Sequence, residues 1–493
     1  MSRTLPGRLA CVCAETGARR VRAAGGLGAA LFLSACASFS PDGGMGVVAG
    51  IAGHELKKDV IAVRTGEDAA LARAAVERLL ARRLTADAAV QIALLNNRGL
   101  QVAYNELGLA ETALLKESLP PNPTFSLSRI STPVELDIER RVIGDILALA
   151  TLPARAEIAA DRFRQAQLRA AMETLRVAAE TRRAYYRAVA ARELIRFLDQ
   201  AKASAENATQ LARRLGETGA MNKLDQAREQ VFYAEITAQL ARARQRAESE
   251  RERLIRSMGL WGTDLDFKLP NALPPLPRRP VSLPGVEVEA VRRRIDLQIA
   301  RLELDRLAKS HALTNATRFI NLLDVSGISR TQREADGAHG TGPGVEVEFQ
   351  IPIFDGGEVR VREAEQLYLQ AVNRLAEKAV NVRSEARDAY RVYRSTYDIA
   401  THYQREVLPL RKIISDETLL RYNAMQIDVF SLLAEARQRI NATIAAIEAQ
   451  RDFWLGSSDL AVAVVGGGAS GSAGTGGESA GTPAVTAVGT SDH

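Results

Sequence analysis

Between Val345 and Ile353, apolar and polar residues alternate without a break. Val345, Val347, Phe349, Ile351 and Ile353 are separated by Glu346, Glu348, Gln350 and Pro352. A period of two predicts a β-strand with one apolar and one charged face. In a soluble sandwich such a strand sets core against solvent; in an outer-membrane barrel it sets lipid against a wet lumen. A few residues later the period changes: Ala364, Leu367, Ala371, Leu375, Ala379, Val382, Ala386, Ala389 and Tyr393 recur every three or four residues. That spacing predicts a long helix with one stripe of mostly small side chains, suited to a coiled-coil wall or to a soluble helical bundle.

The same succession is predicted earlier in the chain. Leu84-Thr85-Ala86-Asp87 supplies an N-cap for a helix running to about Ser118, which Leu119-Pro120-Pro121-Asn122-Pro123 ends. Strands follow near 124–130 and 134–147, joined by a Ser131-Thr132-Pro133 turn. The glycine- and proline-free stretch from Ile158 to Arg214 predicts a helix of about 57 residues, about 85 Å long. Gly216-Glu217-Thr218-Gly219 breaks it, and another helix runs from about Leu224 to Met258, closed by Trp261-Gly262.

The chain then repeats itself. Leu100-Gln101-Val102-Ala103-Tyr104-Asn105-Glu106-Leu107 returns as Leu297-Gln298-Ile299-Ala300-Arg301-Leu302-Glu303-Leu304, an offset of 197. Ala227-Arg228 is matched to Ala436-Arg437 at an offset of 209, the difference being assigned to a longer loop. A tandem duplication of helix, strand pair, long helix, turn and helix follows. It spans a first repeat at 84–262 (strand pair 124–147), a proline-rich linker at 263–284 and a second repeat at 285–457 (strand pair 320–354). Residues 36–83 form an N-terminal tether and equatorial segment, and 458–493, rich toward their end in Gly, Ser, Thr and Ala, form a tail expected to be disordered.

Charge and cysteine content explain how such a chain reaches a membrane. Of the formal net charge of +6, residues 1–35 supply +4, through Arg3, Arg8, Arg19, Arg20 and Arg22 against Glu15. This arginine-rich segment precedes an apolar run, Ala23–Leu33, too short to span a bilayer but suited to a signal peptide. With it removed the charge is near neutral, and no nucleic-acid partner is predicted. Leu33-Ser34-Ala35-Cys36 resembles a lipoprotein lipobox, with Cys36 as the lipidated residue. Cys11 and Cys13 are lost with the signal and no cysteine follows Cys36, so the mature chain has neither disulfide nor thiolate metal site. No later segment has the apolar length of a membrane helix, so any crossing uses strands. The lipidation signal and the lack of other core-forming strands favour the barrel reading. Four strands per chain fall short of the minimum of about eight, so the chain must oligomerise to close one.

Catalytic chemistry finds no support. His54, His311, His339, His402 and His493 are scattered, and no nucleophile elbow, P-loop or dinucleotide fingerprint stands at a strand-to-helix junction. Phe354-Asp355-Gly356-Gly357-Glu358 is first of all a turn, with Asp355 or a neighbour capping the next helix. No enzyme activity, cofactor or metal site is predicted.

Several of these stretches together resemble the TolC-like outer-membrane efflux proteins: Ile351-Pro352-Ile353-Phe354-Asp355-Gly356-Gly357 before a long helix, and Arg421-Tyr422-Asn423-Ala424-Met425 followed by Val429-Phe430-Ser431-Leu432-Leu433-Ala434-Glu435-Ala436-Arg437. Gly219-Ala220-Met221-Asn222-Lys223-Leu224-Asp225 holds the equivalent place in the first copy. The resemblance spans about residues 84–457. It implies a mainly α fold with a small β part, in which a long α-helical barrel continues a transmembrane β-barrel of 12 strands, four from each chain of a homotrimer. It also implies a lipid-anchored outer-membrane protein working with a periplasmic adaptor (membrane fusion protein) and an inner-membrane efflux pump. Cargo would pass without chemistry, metal cations such as copper or drugs being the expected classes. Gly219, Asp225, Arg421, Tyr422 and Asp428 would then lie at the periplasmic tip, where the two aspartates complement helix N-termini and, as rings, favour cations. The family often has glycine where Met425 stands, which leaves that turn's shape open. The other reading is a periplasmic coiled-coil adaptor or scaffold lipoprotein without a pore.

Cys36→Ser is expected to abolish incorporation of labelled palmitate into the full-length chain. Undiminished labelling of the variant would show that Cys36 is not the acylated residue.

Overall fold

The computed structural model describes residues 38–133, 135–334 and 338–466. Cys36, the signal segment and the tail beyond Gly466 lie outside the described residues. Two helices, α1 (Met45–Glu55) and α2 (Gly66–Leu80), occupy the N-terminal segment. Thr65 opens α2 with a capping box in which Asp68 answers the Thr65 backbone. The first repeat follows as α3 (Ala86–Asn96), α4 (Arg98–Ser118), β1 (Thr124–Ser131), β2 (Glu135–Asp145), α5 (Ile146–Glu217) and α6 (Lys223–Met258). The second follows as α7 (Val286–Arg293), α8 (Ile295–Ala316), β3 (Leu323–Glu334), β4 (His339–Phe349), α9 (Glu358–His402), a π-helical turn at Tyr403–Val407, α10 (Leu408–Asn423) and α11 (Val429–Val465).

Three helical expectations are corrected. The helix expected from 84 to 118 is two helices hinged at Asn97, an extended residue whose side chain accepts from the Leu100 amide. The second repeat breaks at Arg294, with nearly the same backbone angles and again an offset of 197. The long helix, expected from Ile158, starts twelve residues earlier and has 72 residues, so it is about 108 Å long. Asp145 caps it through the Ala148 amide at 2.7 Å, and Pro153 sits inside it. A proline near a helix start removes one hydrogen bond from a ladder that packing sustains, and the helix tolerates it. The last helix runs on to Val465, so residues 458–465 belong to the folded body and not to a tail; Leu460, Val462, Ala463 and Val464 are buried there.

The four strands form one antiparallel sheet in the order β1-β2-β3-β4. β4 ends at Phe349, so Ile351 and Ile353 continue the apolar alternation beyond the last ladder pair, fully in the open at 56% and 74% exposure. The turn after them is capped by geometry and not by Asp355 acting at the N-cap. Gly357 is the N-cap residue at φ 72°, and Asp355 accepts its amide from within the turn.

The core gathers where the two repeats meet, midway along the helices. Phe453 on α11 is fully buried between Tyr393 and Tyr397 of α9, at 5.6 Å from each ring. Its neighbour Trp454 stacks on Tyr186 of α5 at 5.1 Å. The proline-rich segment is held against this centre: Trp454 donates to the Pro274 carbonyl and Tyr393 Oη accepts the Val281 amide. Arg294, 3% exposed, binds Asp296 at 2.7 Å and also pairs with Glu385 of α9, tying the second hinge to the long helix. The predicted stripe on α9 is buried at Ala371, Val382, Ala386 and Tyr393, whereas Leu367, nearer the sheet, is 46% exposed.

Gly357→Ala tests the junction between sheet and long helix. A Cβ there would stand 2.2 Å from the Arg318 carbonyl oxygen, on a backbone that side chains avoid. The variant is expected to lose about 1–3 kcal/mol, read as a lower melting temperature in detergent. An unchanged melting temperature would refute the tight junction.

Candidate functional site: a two-faced sheet and a pair of helical turns

The sheet register assigns every strand residue to a face. On one face, Phe125 pairs with Val142, Val142 with Gly327, and Gly327 with Val345, with Val325 opposite Val347 and Leu323 opposite Phe349. Most of these large side chains are in the open, Phe125 at 65% exposure, Val345 at 77% and Phe349 at 56%, while Leu323 and Val325 on β3 are half-buried. The other face carries Asp137, Glu139, Arg141, Asp324, Arg330, Glu346 and Glu348. There Arg141 bridges Glu139 at 2.9 Å and Glu346 at 2.8 Å, and Arg330 grips Asp137 at 2.9 Å. Cross-strand pairs of this kind fix the register of β2 on β3 and β4. β1 and β4 each keep one unpaired edge.

At the far end of the helices lie the two turns that join α5 to α6 and α10 to α11. They share their closing backbone hydrogen bonds at an offset of 206. Gly219 donates to the Gly216 carbonyl and Ala220 to Leu215; Met425 donates to Tyr422 and Gln426 to Arg421. This corrects the offset of 209 taken from the Ala227-Arg228 match. Arg421 and Tyr422 thus serve the second turn through their carbonyls, while the exposed Arg421 guanidinium pairs with Glu417 at 3.0 Å. Both turns need a left-handed residue at the same place. Gly219 fills it at φ 75°, and Met425 fills it at φ 56°, with its side chain 94% exposed. The methionine therefore keeps the turn that glycine makes, under backbone strain.

The two aspartates hold different positions. Asp428 is the N-cap of α11, accepting the Ser431 amide at 2.9 Å and its hydroxyl at 2.6 Å. The Ser431 hydroxyl and amide hold this exposed carboxyl below the usual aspartate range. Its structural counterpart is Asn222, the N-cap of α6, and not Asp225. Asp225 lies one turn on, 8% exposed, accepting from Asn222 Nδ2 at 2.6 Å and paired with Arg228 at 3.0 Å.

One ion pair between the hairpins was not legible in the sequence. Glu229, 4% exposed at its side chain, binds Arg437 of α11 at 2.9 Å, and Arg437 also donates to the Arg228 carbonyl and lies over the Phe232 ring at 4.4 Å. Burial pushes the Glu229 carboxyl up, Arg437 pulls it down and Asp225 adds to the rise. The pair joins the two helical hairpins near their tips. Its only sequence signal was the acidic spacing of Asp225 and Glu229 on one face of α6.

Among the described residues no helix is long and apolar enough to cross a membrane, and no group of His, Cys, Asp and Glu could hold a metal ion. No family model matches the chain, and no curated protein matches it. Solved structures do. The chain is similar to CusC, described as forming a transmembrane channel (TM-score 0.65, 16% identity, 78% of this chain and 92% of that one). It is similar to the CmeC outer membrane channel of Campylobacter jejuni (0.66, 16%, 80% and 86%) and to the MtrE outer membrane channel of Neisseria gonorrhoeae in its open state (0.64, 16%, 77% and 88%).

Met425→Gly is expected to stabilise the second turn by about 1 kcal/mol, and Gly219→Met to destabilise the first by a similar amount, both read from thermal unfolding. Equal melting temperatures for the two variants and the parent would refute the shared left-handed turn. In backbone geometry the chain has the fold of the TolC-like outer-membrane efflux channels.

Proposed function

We propose that this chain is the outer-membrane channel of a tripartite efflux system, a passive export conduit with no chemistry of its own. The observation that carries this reading is the sheet: four strands with two open edges, one face apolar and exposed, the other charged, set on helices of about 100 Å. An apolar exposed face needs lipid, and strands in lipid need every edge paired. Three chains joined edge to edge supply twelve strands, enough for a barrel with a wet interior. The helices demand company too. α10 buries no residue within the chain, yet exposes Leu410, Ile413 and Leu420 by 58–64%. A neighbouring copy in a helical barrel covers such a face.

In this assembly the charged face lines the lumen, where carboxylates outnumber Arg141 and Arg330. That excess supports cationic cargo, metal cations such as copper or cationic drugs. Asp428, exposed at its turn, forms the ring of three at the periplasmic end, whereas Asp225 holds the turn together. Gly219, Arg421 and Tyr422 shape the surface that meets the periplasmic adaptor, and the pump beyond it supplies the cargo. Lipid on Cys36 anchors the chain in the outer membrane before the barrel closes. An adaptor without a pore would have no use for an exposed apolar sheet face.

Purified full-length protein is expected to give stepwise cation-selective conductance in planar bilayers, and its deletion to raise sensitivity to copper, zinc or cobalt, or to dyes and antibiotics. Absence of any conductance would turn the reading to the adaptor; unchanged metal sensitivity beside increased drug sensitivity would sink the metal cargo.

A further inference from the structure

The arginines of the sheet fall into two kinds. Arg141 and Arg330, on the charged face, are both ion-paired. Arg129, Arg140 and Arg333 lie on the apolar face, because their register partners are Ile138, Leu127 and Leu136. All three are exposed, and none pairs with a described carboxylate. The register explains why: no strand position on that face is Asp or Glu in any of the four strands. A second copy joined at either edge would bring only the same face alongside, so oligomerisation supplies no carboxylate either.

Height along the strands sorts these residues again. Phe125, Val142, Val345, Val347 and Phe349 occupy the half next to the helices, whereas the arginines crowd toward the hairpin ends. Arg333 stands level with His339 at the start of β4, and Arg129 and Arg140 fall two and four residues further in. At about 3.3 Å per residue and the usual strand tilt, this basic belt is about 10 Å deep. An arginine facing lipid is costly at the membrane midplane and cheap at the interface. The apolar half therefore sits in hydrocarbon and the belt at the headgroups, on the side away from the helices. An arginine fork without a carboxylate partner matches phosphate oxygens in geometry and charge.

We propose that Arg129, Arg140 and Arg333 bind phosphate groups carried by lipid headgroups of the outer leaflet, three arginines from each chain making a belt around the barrel. The inference rests on the reading of the sheet as part of a membrane barrel. Headgroup phosphate is the committed source, because the belt is continuous with the lipid-facing surface.

The test uses full-length protein in phosphatidylcholine vesicles doped with diphosphorylated or dephosphorylated lipid A, with bound lipid counted after extraction in mild detergent by native mass spectrometry. The parent is expected to retain the diphosphorylated form, and the triple variant R129Q/R140Q/R333Q to retain about tenfold less. The charged-face variant R141Q/R330Q is expected to retain as much as the parent, and neither inorganic phosphate in millimolar excess nor the dephosphorylated lipid should substitute. Equal retention of both lipids, equal loss in R141Q/R330Q, or full displacement by inorganic phosphate would overturn the proposal. Conductance separates the two readings. A triple variant that conducts like the parent while losing lipid supports the belt; a parent that conducts without preferring phosphorylated lipid refutes the belt and leaves the channel standing; a parent that neither inserts nor conducts fails both.

Discussion

A sheet of four strands leaves two rows of backbone N–H and C=O groups without partners, one along Thr124–Ser131 and one along His339–Phe349. In water such groups are solvated. In hydrocarbon each costs several kcal/mol, by about 2–7 kcal/mol per group. Yet the face bearing Phe125, Val345 and Phe349 is more stable in hydrocarbon than in water. The two demands conflict within one chain, and the proposed pairing of edges between copies would resolve them. Pro343, on β4, takes one donor out of that edge and so restricts how it can pair. The proposed assembly is in this sense a consequence of strand number.

Duplication supplies the matching supports beneath the sheet. Asn97 and Arg294 place the same extended hinge between a short and a longer helix, but one holds it with an amide cap and the other with a buried ion network. Gly219 and Met425 place the same left-handed turn at the tip, one without strain and one with it. In both cases the backbone geometry is kept while the chemistry that stabilises it differs. The offset grows from 197 at the hinges to 206 at the tips, so nine residues are added between them, five in the longer strand hairpin and two on each side of it.

Element types and their order were legible because each carries an uninterrupted period. β4 alternates cleanly from Val345 to Phe349, and the stripe of α9 is regular to Tyr393. Boundaries were less legible where packing overrides a local rule. Pro153 reads as a stop, yet lies within a helix whose other hydrogen bonds and contacts sustain it. Asn97 reads as one more helical residue, yet its side chain accepts from the Leu100 amide and donates to the Ser257 carbonyl, contacts that hold the bend. β1 is poorly marked because Arg129 stands on its apolar face, breaking the alternation for a reason that appears only with the register. Of the tip, Asp428 could be read locally at the start of its helix, whereas Asp225 was singled out where Asn222 is the cap; the Glu229–Arg437 pair could not be read, since it joins residues 208 apart in sequence.

Stability is distributed unevenly along the helices. Near their middle, Phe453, Trp454, Tyr186 and Tyr393 form an aromatic centre that ties both repeats to the linker. Toward the tip, α5, α6 and α11 share, among the described residues, two small clusters, Leu198 with Leu240 and Ala243, and Ala201 with Ile236 and Ile440. A segment with few buried contacts opens at lower free energy than the core it extends from. The Glu229–Arg437 bridge joins the two hairpins across this sparsely packed region. Its buried carboxylate oxygen Oε2 has no hydrogen-bond partner, so burial opposes the charge that the bridge requires. Such a contact fixes which residues meet at the tip while adding little net stability there.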